Sequence, residues 1–303
     1  MRAGWSILLV GLLACAREAD PPPVRAPGPG APRDAAPVAS PPRPESPRAV
    51  PVPVPALDFA AYGDCRSNHE IHRGICAALI RAKPKFVVVS GDLVDWGESP
   101  DDWRIFREVT GELRAGCTYL AAPGNHDVSA DRLFEREFGL ERIYYDRRVG
   151  DVHLFLLDSN DYFRDPEQLR WLEETARASD ARHKIAVFHH PPFSIEPWGD
   201  FEQKPVRERL HPLLVRLRFC AAFCGHHHAF YATKRDGVRY VVTAGGGAVL
   251  YPLDEKLAQP GDVFRRFHHF VGCTRGEKGI SARVFDESGR EAPDLAFPLC
   301  EHP

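Results

Sequence analysis

Five short stretches of this chain end in side chains that can bind a metal ion. Asp64 closes "LDFAAYGD", Asp92 closes "KFVVVSGD", and Asn125 and His126 follow "CTYLAAPG". His189 and His190 follow "KIAVF", and His226, His227 and His228 follow "FCAAFCG". Two carboxylates, an amide and several imidazoles without a thiolate make a mixed nitrogen and oxygen set. Such a set suits Zn, Mn, Fe or Ni, and not Cu(I) or an iron–sulfur cluster. The candidates are too many for one tetrahedral ion, so a two-metal site is the natural arrangement. Two ions a few ångströms apart can clamp a phosphoryl group and activate water between them.

The elements that carry these residues are legible from their texture. Each stretch is an apolar run with few polar breaks, as expected of strands buried on both faces, and the polar residues follow its carboxyl end. In open α/β sheets that edge is where ligands bind. Gly63, Gly91, Gly124 and Gly225 precede the candidates and permit a sharp turn and close backbone approach. Within "GHHH" an extended backbone alternates sides, so His226 and His228 are expected to face together and His227 away.

Between the strands, "NHEIHRGICAALIRAKP" has helical spacing, with Ile71, Ile75, Ala78 and Leu79 on one face and His69 and His72 expected on its surface. "DDWRIFREVTGELRA" and "DPEQLRWLEETARAS" are further helices, the second with Pro166 in its first turn. "SADRLFEREFG" offers Ser129 or Asp131 as a cap and Gly139 as a stop. "KPVRERLHPLLVRLR" reads as one helix marred by Pro212. Hairpins are expected to turn at Gly150-Asp151 and Asp236-Gly237, and "FRRFHHFVGCTR" and "GISARVFD" read as later strands. Strands alternate with helices early and antiparallel strands accumulate late, which gives an α/β class with mixed sheets.

The ordered set "YGDCRSN", "VVSGDLVDWG", "AAPGNHD", "VFHHPPF" and "FCGHHHAFYA" resembles the calcineurin-like metallophosphoesterase superfamily. The resemblance covers most of 57–287. It implies a mixed-sheet β-sandwich flanked by helices, in four layers α/β/β/α, and in-line attack of a metal-activated hydroxide on a phosphoester. Carried over by position, it implies that Asp92 bridges two ions, Mn, Zn or Fe. Asp64 and His228 would hold one, and Asn125, His189 and His226 the other. His126 would act as general acid or charge stabiliser, with Asp127 orienting it through a hydrogen bond.

One position departs from the common pattern. Many members read Asp-x-His at the first motif, and here the third residue is Arg66, which stays protonated and cannot ligate. Purple acid phosphatases also lack that histidine and supply a tyrosine three residues after the bridging aspartate. The residue there is Asp95, either an oxygen ligand or a loop carboxylate accepting hydrogen bonds. Arg66 could grip a phosphate oxygen. The departure also keeps open a non-catalytic or mononuclear phosphate-recognition module. Asp158 could support the site from behind, His190 could wall it, and Trp96, Trp198 and the loop "SIEPWGDFEQ" could border it. Loops 193–205 and 246–262 would set the substrate but carry no readable signal.

The 303 residues are 44% hydrophobic and 27% charged, which suits a soluble protein with a core. A net charge of −3 without basic blocks does not by itself imply a nucleic-acid-binding surface and leaves room for a local patch. The N-terminus differs. Arg2 precedes an apolar run from Trp5 to Ala14, too short to span a bilayer and suited to a signal-peptide core. "LLAC" resembles a bacterial lipobox, so residues 1–15 are read as a lipoprotein signal ending in a lipidated Cys15. A plain secretory signal is the alternative. The Pro/Ala-rich stretch 16–55 reads as a disordered tether and 56–303 as the metallophosphoesterase domain. The expected location is thus periplasm or cell surface, with the membrane as partner through the lipid. Eight cysteines occur, with no readable pairing; Cys220 and Cys224 are expected to be small buried hydrophobes.

Overall fold

The computed structural model describes residues 52–301. The expected signal, Cys15 and the tether as far as residue 51 lie outside the described residues.

The first sheet has six strands and begins with three parallel ones, β1 (Phe59–Tyr62), β2 (Phe86–Val89) and β3 (Thr118–Ala121). It is completed on the other side of β1 by antiparallel β11 (His269–Gly276), β12 (Gly279–Asp286) and β13 (Phe297–Glu301). The second sheet has seven strands. Its parallel centre is β5 (Val152–Leu156), β6 (His183–Val187), β7 (Ala221–Cys224) and β9 (Val238–Thr243). Antiparallel β4 (Tyr145–Val149) closes one edge, and β8 (Phe230–Arg235) and β10 (Val263–Arg265) the other.

Strand alternation explains the layering. Phe59 and Ala61 of β1 and Phe86 and Val88 of β2 pack against Leu154, Ile185 and Phe223 of the second sheet. The intervening Ala60, Tyr62, Val87 and Val89 pack on the outer face against α1 (His69–Ala82) and α2 (Pro100–Gly116). Phe155, Ala186 and Ala222 likewise face α4 (Pro166–Ala178), α5 (Gln203–Arg209) and α6 (His211–Arg216). A strand buried on both faces needs apolar residues at every position, and these strands have them. The result is the expected four-layer α/β/β/α sandwich.

Both expected hairpin turns form, and Asp236 and Gly237 both take positive φ, 47° and 87°. Asp165 caps α4 by accepting from the Glu167 amide. Four details differ from expectation. His72 is buried, its Nε2 3.0 Å from the Tyr62 hydroxyl, because it lies on the same helical face as Ile75, Cys76 and Leu79. The segment around Pro212 forms two helices, since proline offers no amide to carry one helix through. The short α3 (Leu133–Phe138) takes Arg132 in a left-handed conformation as its cap position, with Ser129 Oγ accepting from the Leu133 amide. "FRRFHHFVGCTR" splits between β10 and β11, which belong to different sheets.

Cys220 is not a free buried thiol. It forms a disulfide with Cys300, 80 residues away, joining the start of β7 to β13. Cys224 is buried and free, as expected.

Candidate metal centre

β1, β2 and β3 of one sheet and β6 and β7 of the other deliver the candidate ligands just past their carboxyl ends. Asp64, Asp92 and His226 themselves adopt left-handed backbone, with φ of 55°, 55° and 69°. For non-glycine residues this costs about 1–3 kcal/mol each, and such strain is characteristic of functional turns. The conformations are held in place: the Asp64 amide donates to the Gly91 carbonyl and the His226 amide to Asp64 Oδ1 at 2.9 Å. Gly225 leaves room for this junction, since a Cβ there would lie 2.6 Å from both Asp64 Oδ2 and the Ser90 carbonyl.

The ligand atoms fall into two groups. In the first, Asp64, Asp92 and His228 each offer an atom within 4.8 Å of the others. His228 Nδ1 is 2.7 Å from the Val249 carbonyl, which can only accept, so that nitrogen carries the proton. His228 Nε2 then presents a lone pair to Asp64 Oδ1 at 3.2 Å. In the second group, His189 Nδ1 donates to the Ser90 carbonyl at 2.9 Å, leaving Nε2 as a lone pair. That lone pair faces Asn125 Oδ1 at 3.0 Å, His226 Nδ1 at 3.2 Å and Asp92 Oδ1 at 3.3 Å. Burial keeps the His189 imidazole below its ordinary pKa against the pull of Asp92 and Asp64. His226 Nε2 donates to the Glu202 carboxylate at 2.7 Å; burial opposes the charged imidazole, but Glu202, Asp64 and Asp92 outweigh burial and raise its pKa. His189 Nε2, Asn125 Oδ1 and Asp92 Oδ1 thus face one another as acceptors, as His228 Nε2 and Asp64 Oδ1 do in the first group. A cation of nitrogen and oxygen preference is what such an arrangement fits.

Asp92 is shared. Its Oδ1 faces His189 and accepts from the His126 amide at 3.1 Å, while Oδ2 is 3.1 Å from Arg66 Nε. Burial opposes its ionisation, but His189, His126 and Arg66 outweigh burial and hold its pKa below the ordinary value.

Asp127 does not orient His126. Its carboxylate is fully buried and accepts from the amides of Asp92, Leu93, Val94 and Gly124, which this sharp loop would otherwise leave unpaired. His126 is held instead by the Asp95 carbonyl, 2.7 Å from Nδ1. The Asp95 carboxylate accepts from the Ser67 amide and hydroxyl and lies 3.5 Å from Arg66 Nη1, the hydrogen-bond reading of that residue. Arg66 thus sits against two carboxylates at the site. His227 turns from the other two histidines toward Glu196, with Nε2 2.6 Å from Oε1. Asp158 accepts from Asn160.

His190 is buried at the wall, and the Ser159 hydroxyl explains its state. That oxygen accepts from the amides of His189 and His190 and so gives its own proton to His190 Nδ1 at 3.0 Å. In that tautomer His190 Nε2 carries the hydrogen and offers no lone pair, although the ring lies within reach of His189 and His226.

The sequence pattern of calcineurin-like phosphoesterases matches residues 59–230, the span that contains all of the candidate ligands. The chain belongs to the calcineurin-like phosphoesterase family. It is 34% identical over 175 residues to a glycerophosphodiester phosphodiesterase, GpdQ, of Enterobacter lignolyticus, covering 51% of this chain and 60% of that protein. It is 28% identical over 217 residues to the serine/threonine-protein phosphatase CPPED1 of Danio rerio, covering 62% and 70%. The fold is shared with a purple acid phosphatase, PPD1, from yellow lupin (Lupinus luteus) seeds, at a TM-score of 0.67 and 16% identity, covering 79% of this chain and 52% of that one. Within this metal-dependent family, the residues that sequence reasoning missed are Glu202, Glu196 and Tyr251, all on loops without periodic pattern. The aromatics of "SIEPWGDFEQ" were the available signal for the first two.

Proposed function

We propose that the chain is an exported, lipid-anchored hydrolase of phosphoesters that uses two divalent or trivalent ions, Mn, Zn or Fe. The observation that carries the count is Asp92, whose carboxylate belongs to both groups of ligand atoms. Asp64 and His228 would hold one ion, and Asn125, His189 and His226 the other. When bound, the ions would supply positive charge to the phosphoryl oxygens and acidify water. His126, with Nδ1 committed to the Asp95 carbonyl, keeps Nε2 for the proton that a departing alcohol needs. Asp127 secures the loop that aims Asp92 and Asn125.

Loaded with Mn or Zn, the protein should carry two ions per chain by elemental analysis and hydrolyse 4-nitrophenyl phosphoesters. His226→Ala should lose one ion and about a hundredfold in kcat, while His227→Ala keeps both ions. Intact activity in both Asn125→Ala and His226→Ala would end the proposal.

The contact of Arg66 with Asp92 Oδ2 favours a second reading, in which the guanidinium occupies the place of one ion. One ion per chain, rising to two in Arg66→Gln, would establish it. The Cys220–Cys300 disulfide supports an oxidising compartment. Mass spectrometry of the N-terminal peptide tests the anchor: Cys15 should carry the lipid, and Cys15→Ser should move the protein to the soluble fraction.

A further inference from the structure

The segment Glu196–Glu202 grips the histidine triplet from outside. Its last residue, Glu202, holds His226 and accepts from the Tyr162 hydroxyl at 3.0 Å. Its first, Glu196, lies against His227, Oε1 to Nε2 at 2.6 Å, a close charge contact without hydrogen-bond alignment. Between them, Trp198 sets its ring edge-on to Tyr251, with centroids 4.6 Å apart at 79°. Tyr251 in turn stacks on His228 at 4.0 Å and 23°, and its amide donates to the His228 carbonyl. All three histidines are therefore fastened, directly or through one ring, to this stretch and Tyr251.

A cavity of about 320 Å³ opens there, lined by Glu196, Trp198, Phe201, Glu202, His226 and Tyr251 among others. It borders the metal centre at His226, one of the candidate ligands. Trp198 is 58% exposed and Phe201 82%, a large aromatic surface to leave in water within four residues. The wall also carries a buried acceptor without a partner among the described residues, Glu196 Oε2. Aromatic faces beside a carboxylate oxygen favour a planar ring that carries hydrogen-bond donors, and the two carboxylates repel an anionic substituent.

We infer that this cavity is the subsite for the alcohol portion of the substrate, and that it selects an uncharged planar aromatic group bearing N–H or O–H donors, the chemistry of an amino-substituted nucleobase. This rests on the phosphoester reading above, and it makes Trp198 and Tyr251 specificity-determining residues.

Two measurements test it on the purified full chain. The first is calorimetric titration with adenosine and with ribose, which needs no turnover. Adenosine should bind saturably and ribose should not. Trp198→Ala should weaken adenosine about tenfold and Trp198→Phe should restore most of the loss. The second compares the methyl phosphodiesters of adenosine 5′-phosphate and ribose 5-phosphate, whose departing 5′-alcohols are alike in basicity and differ by the base. The adenosine ester should have the higher kcat/KM by about tenfold, mainly through KM, and the ratio should fall toward one in Trp198→Ala. Absence of adenosine binding by the folded native protein, or a ratio near one with both esters hydrolysed, overturns the inference. Saturable adenosine binding that Trp198→Ala weakens, with neither ester hydrolysed, sinks the hydrolase proposal and leaves the subsite standing.

Discussion

At the scale of single residues, the protonation pattern of the three ligand histidines is fixed by what lies behind them. His189 and His228 each donate a hydrogen bond to a backbone carbonyl, and His226 donates one to Glu202. The bond to His226 holds the Glu202 carboxyl at a pKa of about 2. A carboxylate behind a ligand histidine raises its basicity and sets its tautomer, and removal of such a partner typically weakens metal binding 10- to 100-fold. Glu202→Ala should therefore lower metal affinity by about that factor, measured by competition with a chelating dye, and Glu202→Gln should fall between. The ligands themselves were legible because glycine, carboxylate, amide and imidazole recur after apolar runs. Glu202 was not, because nothing local distinguishes it from any loop carboxylate. Asp127 was misread for the opposite reason: its neighbour His126 suggested a partnership, while the real demand came from four amides, three of them in a loop more than thirty residues earlier.

At the scale of elements, helix α1 packs on the first sheet through a polar contact inside an apolar face. Tyr62 bonds His72 at 3.0 Å and Tyr119 at 2.6 Å. Burial pushes the His72 pKa down to about 3. The unfolded chain takes up that proton near pH 6.5 and the folded one only near pH 3, so stability falls as pH drops through this window. The loss attributable to His72 reaches about 4 kcal/mol at its lower end. His72→Leu, which leaves Tyr62 its bond to Tyr119, should flatten the dependence of urea midpoints on pH between 7 and 4. The helix itself was legible from the spacing of Ile75, Ala78 and Leu79. His72 sits one turn before Cys76 and two before Leu79, so the periodicity contained its burial, and only its residue type argued for the surface. The division of "FRRFHHFVGCTR" between two sheets had no such trace, since periodicity reports which face is buried and not which strand is the neighbour.

At the scale of the whole molecule, the two sheets meet at one edge through the ligands and are joined again through Cys220 and Cys300. No sequence pattern could pair cysteines 80 residues apart, because pairing depends on how β13 returns beside β7. Closing a loop of that length in the unfolded chain is worth about 4 kcal/mol in the chain-entropy account. Cys300→Ser should lower the unfolding free energy by about that much, with native metal content retained at 25 °C. The disulfide precedes β7 and the histidine triplet follows it, so this strand is fastened at both of its ends. Chelator and reductant would then act on opposite ends of one strand. Either alone should leave the chain folded, and both together should release it, so that the strand fails only when those two insults arrive together.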